Sequence, residues 1–531
     1  MATFKNSSAT ASAETQAGHP RRWWILGALA LTMLVVGLDA TVLNVALSDI
    51  SRALGASTTD LQWIVNGYTL TSAVLLIPAG MLGDRYGRRT VLAVGLAVFV
   101  AASALGAFAA TPAELVAART VMGIGAAAVF PLSMSILPTV FAPGERAKAV
   151  AVITAAMGLG MPLGPLLGGW LLDNYWWGST LLINVPTVAI ALATGLTLIP
   201  NSKDSGRRRF DLAGMLLTVA GLAGIVYGIT QEPVSGWGSG EVLVPLIGGA
   251  GLLVAFWFVE RRAAAPLLDP RLTGNRMFVW PTIATALTSF VMMGLLFALP
   301  LYLQAFLGDS ALVTGVKLLP MMLALVVGAA VGTRTTALVG LRVVVPAGIL
   351  ISAAGFAALL RLVPDSDYWP LLAALAATGL GFGIAMPPAT TAMLDSLPDG
   401  IQSTGTAVNL AVKQTVGALG VAILGSVLTA VYRGGMDAAT AHLPAAAADA
   451  AHDSIGGAVA VASRLGPAGN ALKAAAGSAY LDGVHVVSVV CIAAAVLIAV
   501  VMAAVLPGRA RGEHTASSAQ PAPIRADKMN T

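Results

Sequence analysis

The stretch GMLGDRYGRRTVL, residues 80–92, is a dense polar turn between two long apolar runs, and it reads as a tight hairpin joining two membrane-spanning helices. Gly80 and Gly83 let backbones approach closely, and Gly87 supports the turn. Asp84 stands beside Arg85, Arg88 and Arg89, which have access to the cytosol and to lipid headgroups. A positively charged anchor explains the arginines. It does not explain an aspartate at the C-terminal end of a helix, where the helix dipole disfavours negative charge.

Composition agrees with a membrane reading. Hydrophobic residues make up 57% of the 531 and charged residues 10%, with a mean hydropathy of +0.83, more apolar side chains than a water-soluble core absorbs. The net charge of +5 raises the question of nucleic acid. The basic residues are instead scattered between apolar runs of roughly 20 residues, as topology signals are, so no nucleic-acid partner is expected. Cys491 is the single cysteine, which excludes an intramolecular disulfide and any cysteine-rich metal site. The N-terminus is polar as far as Arg22 and has no early apolar core, so a cleaved signal peptide is not expected and targeting rests on the first span.

Apolar runs bounded by charge or by Gly/Pro clusters give fourteen spans, the first at 24–46, the thirteenth at 404–432 and the last at 480–506. With both termini in the cytosol, 22 of the 30 basic residues fall in cytosolic segments, 5 at the outer side and 3 (Arg119, Lys317, Lys413) within spans. That asymmetry sets the orientation. Polar segments at 201–211 and 260–276 bracket two of the spans. The expected organisation is a cytosolic tail (1–23), a six-helix half (24–199), a linker with two further helices (200–279), a second six-helix half (280–506) and a cytosolic tail (507–531) of polar, disordered character. Within the second half, 433–479 reads as a long external loop with one short amphipathic helix. Its His442, Asp449, His452 and Asp453 need no metal to explain them.

The hairpin at 80–92 resembles motif A of the major facilitator superfamily, and the resemblance extends over nearly every span. LDATVLNVAL (38–47), QWIVNGYTL (62–70), LLINVPT (181–187), LYLQAFLGDSALVTGVKLLP (301–320) and NLAVKQTVGALGVAILG (409–425) are similar to segments of its fourteen-helix drug:proton antiporters. ELVAARTVMGIGAA (114–127) looks like motif B with Met122 in place of glutamine. GMPLGPLLGG (160–169) resembles the antiporter motif C. Departures are Ser48 for a proline, Gly178 and Ser179 for Arg-Trp, and Lys413 for the commoner arginine. GTRTTALVGLR (332–342) holds the place of motif A in the second half but lacks its aspartate, implying an asymmetric gate. The implied fold is all-α and integral to the membrane: two pseudo-symmetric six-helix halves plus two inserted helices, around a central path.

Several residues are singled out for function. Ala156, Gly160, Gly164 and Gly168 recur every four residues as one small-residue stripe, with Gly169 beside it, while Pro162 and Pro165 interrupt the backbone ladder. Ordinary helix packing accounts for such a stripe; the prolines and the resemblance point to antiport. Asp39 is the one acidic residue well inside a span and needs a partner or a proton. At helical rise it lies about 12 Å from the outer end of its span and Arg119 about 10 Å from the outer end of the fourth. The depths match, and since the implied fold lines one cavity with these two helices, a proton-coupling Asp39–Arg119 pair is expected; a static structural ion pair remains the alternative. Asp84 has two choices, Arg88 or Arg89 nearby, or, by resemblance, the N-terminus of the thirteenth helix, a contact that in the implied fold holds the cytosolic side closed as a gate formed with motif A. Lys413, about 13 Å into that helix, shares a face with Asn409 and has no matching acid. Asn44, Trp63, Tyr68, Met292, Met293, Tyr302, Gln304, Asn409 and Lys413 form the candidate substrate pocket, although the aromatic and methionine side chains are equally compatible with packing or lipid contact.

No Gly-Lys dipeptide occurs, so there is no Walker A loop and no nucleotide partner is expected. No buried nucleophile or metal cluster is evident, so the chain is not read as an enzyme. No cofactor is called for, since a proton gradient supplies the energy. The resemblance implies efflux of drug-like or antibiotic small molecules across the cytoplasmic membrane, with protons and membrane lipid as the other partners. Export of an endogenous metabolite, nutrient uptake and a non-transporting receptor remain as alternatives.

Overall fold

The computed structural model describes residues 19–202, 212–262, 274–363, 367–397 and 402–506. Among them all regular secondary structure is helical, and fourteen helices are long and apolar enough to cross a membrane. The first six are α1 (Arg22–Leu54), α2 (Thr58–Tyr86), α3 (Arg88–Gly106), α4 (Pro112–Val140), α5 (Pro143–Asn174) and α6 (Ser179–Leu198). Next come α7 (Leu212–Ser235), α8 (Gly240–Glu260), α9 (Arg276–Leu301), α10 (Ala311–Val339), α11 (Leu341–Leu359), α12 (Tyr368–Asp395) and α13 (Gln402–Thr440). Two short helices, α14 (Ala445–Asp453) and α15 (Ile455–Leu465), precede α16 (Asn470–Val505). The basic segment 203–211 and both tails expected to be polar fall largely outside the described residues.

Local chemistry sets the helix ends. Ser57 and Asp60 form a reciprocal capping box at the start of α2. Thr111 caps α4, with Pro112 at its first position, where a missing N–H costs nothing. Gly87 separates α2 from α3 at φ +111°, and Gly340 separates α10 from α11 at φ +86°, backbone conformations that a side chain would strain. These two glycines occupy equivalent turns of the two halves.

The packing repeats likewise. In the first half α1 packs on α5, α2 on α4, α3 on α4 and on α6; in the second, α9 packs on α13, α10 on α12, α11 on α12 and on α16. The halves meet through two matching seams, α2 with α13 and α5 with α10. The hairpin of α7 and α8 lies outside this arrangement. α7 rests against α2 and α13, its Ile229 carbonyl accepting from Ser426 at 2.8 Å, whereas α8 turns apolar side chains such as Val244 and Ile247 outward, as lipid contact requires.

The small-residue stripe of α5 is the seam with α1. A Cβ on Gly160 would lie 2.3 Å from the Leu34 carbonyl oxygen, one on Gly164 2.1 Å from Thr41 Oγ1, and one on Gly168 2.7 Å from Val42 Cγ2. Gly169 faces α10 instead, against Leu312. Pro165 has no N–H to give the Met161 carbonyl, and the Thr41 hydroxyl donates to that oxygen at 2.9 Å. Proline thus frees an acceptor that ties the two helices together.

At the end of the bundle remote from residues 84–89, here the distal end, the halves are joined. Gln304, in the π-turn Tyr302–Phe306 that continues α9, donates to the Val45 carbonyl of α1. Ser310 donates to Asp173 of α5 at 2.8 Å. The 433–479 segment, expected as a loop with one short helix, is mostly helical: α13 continues to Thr440, and α14 and α15 fold over this end. Tyr432 donates to the Ala451 carbonyl at 2.8 Å, Arg433 pairs with Asp453 at 2.6 Å, and Thr58 donates to the Asp453 carbonyl at 2.9 Å. The described residues contain no metal-holding group of His, Cys, Asp or Glu. Helices outrun the apolar stretches because hydropathy marks the hydrocarbon layer, while backbone hydrogen bonding continues wherever the ends pack on protein.

Gly164→Leu is expected to lower the melting temperature of the purified protein markedly, since overpacking costs about 1–3 kcal/mol or more. Gly158→Leu, at a position where a Cβ meets nothing within 4 Å, is expected to melt like the parent. Equal melting of the two variants would contradict the seam.

Candidate functional site

Asp39 is fully buried in α1, at 0% exposure, and both of its oxygens are occupied by donors. Arg119 of α4 donates from Nη1 to Oδ2 at 2.8 Å. Asn184 of α6 donates from Nδ2 to Oδ1 at 2.9 Å. The guanidinium lies over the Tyr68 ring of α2, 4.3 Å from its centroid, a contact that stabilises a desolvated cation. Four helices therefore converge on one carboxylate. Only donors are found at its two oxygens among the described residues.

The expected pairing of Asp39 with Arg119 is present, though α1 runs to Leu54 and so carries Asp39 deeper than the apolar run suggested. Asn184 and Ser103 escaped the sequence reading. Asn184 stands at the break between the segments Ser179–Leu182 and Asn184–Leu198, and Ser103 holds that break by donating to the Leu181 carbonyl at 2.8 Å. The available signal was a lone amide two residues before Pro186 in an otherwise apolar stretch.

Around the 80–92 hairpin, Asp84 pairs with Arg88 at 2.9 Å, and Arg88 also donates to the Ser135 carbonyl of α4 at 2.9 Å. Arg89 turns to the carbonyls of Leu196 and Ile199 at the end of α6. Arg85 lies over the neighbouring Tyr86 ring. Gly83 gives room to Leu132 and Gly80 faces Pro131, both on α4. The hairpin therefore binds the ends of α2, α3, α4 and α6 to one another. Of the two kinds of partner open to Asp84, the adjacent arginine takes it among the described residues.

The residues grouped as a pocket separate into five places. Tyr68 belongs to the Asp39 cluster. Trp63 packs against Tyr227 of α7, ring centroids 6.0 Å apart, and so faces the inserted hairpin; periodicity marks a helix face but not the neighbour it meets. Tyr302 and Gln304 lie at the distal closure, Tyr302 stacked on Phe306 and Tyr480. Asn409 and Met293 lie where α13 meets α9, with Lys413 one helical turn beyond Asn409 on α13 and Met292 buried next to Met293 in the α9 sequence. Asn409 reaches Thr282 and Thr285 of α9, and Met293 lies against Gly417. Asn44 is buried in α1, its amide 3.4 Å from the Ala40 carbonyl.

The Major Facilitator Superfamily profile matches residues 29–421. The chain belongs to this superfamily. It is 40% identical over 425 residues to the puromycin resistance protein pur8 of Streptomyces alboniger, covering 79% of this chain and 84% of that one. With the cephamycin export protein CmcT of Amycolatopsis lactamdurans it shares 38% over 398 residues, 73% of this chain and 82% of that one. With the multidrug efflux pump LfrA of Mycolicibacterium smegmatis it shares 32% over 460 residues, 85% and 90% of the two chains. A solved bacterial homologue of the lysosomal transporter Spinster, in an inward-facing conformation, superposes with a TM-score of 0.64 at 18% identity over 92% of this chain and 98% of that one. The superfamily is one of transporters, not enzymes, and this facilitator is a multi-pass membrane protein.

Removing one member of a buried ion pair leaves an uncompensated charge, at a cost of about 3–5 kcal/mol. Arg119→Met is therefore expected to destabilise the purified facilitator strongly, and adding Asp39→Asn to restore much of the loss. Strictly additive melting shifts in this double-mutant cycle would show that the two groups do not interact energetically.

Proposed function

We propose that this facilitator is a proton-coupled antiporter that exports drug-like or antibiotic small molecules across the cytoplasmic membrane, with both termini in the cytosol. The observation that carries the reading is the fully buried Asp39, paired with Arg119 and hydrogen-bonded by Asn184. Support for the substrate class comes from relatives named for puromycin resistance, cephamycin export and multidrug efflux. The excess of basic residues in the segments assigned to the cytosol supports the orientation. The six-helix units are taken as 24–199 and 280–506, with 200–279 as the inserted linker.

Uphill export requires that a proton change the relative stability of the two access states, because a ligand bound equally in both shifts nothing. In the proposed cycle, protonating Asp39 turns its Oδ2 from acceptor to donor and breaks the bond from Arg119 Nη1. The guanidinium then keeps its stacking on Tyr68 but loses its counter-charge, so α1 is freed from α4. Six residues further along α1, the Val45 carbonyl accepts the Gln304 bond that joins the halves at the distal end. Movement of α1 thereby reaches the closure directly. Asp84 and Arg88 hold the opposite ends of α2, α3 and α4 together, so that these three helices stay fixed to one another while α1 moves. Motif C, from Gly160 to Gly169 with Pro162 and Pro165, supplies the close surface on which α1 and α10 slide.

In proteoliposomes holding the purified full chain, addition of a transported drug is expected to release protons from the parent protein. The Asp39→Asn protein is expected to release none while still permitting downhill drug exchange. Undiminished proton release from Asp39→Asn would place the coupling group elsewhere.

A further inference from the structure

Lys413 has no part in the cycle above. It lies eleven residues beyond the start of α13 at Gln402, about 16 Å along the helix. Its face is fixed by its neighbours. Asn409, one turn earlier, donates to the hydroxyls of Thr282 and Thr285 on α9, and Gly417, one turn later, would place a Cβ 3.2 Å from Met293 Cγ of the same helix. Gln414 turns the other way, its Oε1 accepting from Ser72 of α2 at 2.9 Å. Position 413 thus borders the seam between the two halves.

Helix α13 is enclosed by α2, α7, α9 and α16. At this depth Lys413 is half-buried rather than closed off. The described residues give its ammonium neither an ion pair nor a hydrogen bond. The other cations assigned to spans are neutralised, Arg119 by Asp39 and Lys317 by Asp309. Asp39 is already fully engaged, so Lys413 is the cation assigned to a span that has no counter-ion among the described residues. A lone charge in a low-dielectric bundle is costly, and an incoming anion that relieves it binds more strongly than it would at the surface. One turn further along α13, Met293 of α9 lies against Gly417 and offers deformable apolar contact.

We propose that Lys413 is an anion-binding point in the translocation path, so that the exported compounds include amphiphilic acids, such as carboxylates, phenolates or sulfonates, whose charged head meets Lys413 and whose apolar body lies along Met293 and α9. The inference rests on the export reading and narrows its substrate class. Lysine presents a point charge without a fixed planar geometry, so it accepts acids of varied shape.

The test uses two dyes on one xanthene scaffold, anionic fluorescein and cationic rhodamine 123, with binding to the purified full chain in nanodiscs read by fluorescence polarisation. The parent is expected to prefer fluorescein. In Lys413→Gln the preference, taken as the ratio of the two dissociation constants, is expected to fall roughly tenfold or more, in Lys413→Glu to invert, and in Lys413→Arg to be retained. A ratio unchanged in Lys413→Gln, or a parent that binds rhodamine 123 and not fluorescein, would overturn the assignment. Proton-driven movement of rhodamine 123 by the same parent protein separates the two readings: export of that dye without fluorescein binding sinks the anion site alone, whereas a Lys413-dependent fluorescein site in a protein that moves neither dye sinks the export reading alone.

Discussion

A carboxylate placed where water cannot reach it must be matched by protein groups, and the first half of this molecule is arranged to match Asp39. Arg119 and Asn184 must arrive from α4 and α6 within hydrogen-bonding distance, so the spacing of three helices is set by a single side chain. Such close approach needs small residues. Gly37 of α1 lies against the Met157 carbonyl of α5, and Gly160, Gly164 and Gly168 return the contact. Thr41, two residues after Asp39, is tethered to the carbonyl that Pro165 leaves free. Stripe, proline and ion pair are therefore parts of one constraint on α1.

The two halves share a packing plan but divide the chemistry. Gly87 and Gly340 make equivalent turns, yet the first is flanked by the Asp84–Arg88 pair and the second has no acid near it in sequence. The buried acid–base cluster lies wholly in the first half. In the second, α13 carries Lys413, which has no counter-ion among the described residues, and contacts both α9 and the opposing α2. This division suits a transporter in which one half senses protons and the other meets the substrate, the two being joined through α1 and Gln304.

Much of this was legible in the sequence, because hydropathy and helical rise are properties of single helices. The fourteen spans follow from apolar run length. Asp39 and Arg119 were matched by depth, although the helix chosen as partner came from the resemblance. What a helix meets sideways is not encoded in its own period. Trp63 thus turned out to face α7, and Asn184 joined Asp39 from a helix whose break at Ile183 leaves no hydropathy signal. The 433–479 segment illustrates a third limit: its Ala- and Gly-rich composition suggested a loop, but contacts such as Tyr432 with Ala451 and Arg433 with Asp453 stabilise helices there.

The central claim is that the protonation state of Asp39 sets the balance between access states. It is tested most directly by spin labels on cysteines introduced at Asn174 and Leu307, across the distal end, in a variant lacking Cys491. The distance distribution between them, recorded by double electron–electron resonance, is expected to shift on acidification in the otherwise native protein and to become insensitive to pH when Asp39→Asn is added. A full pH response surviving in the Asp39→Asn protein would contradict the account.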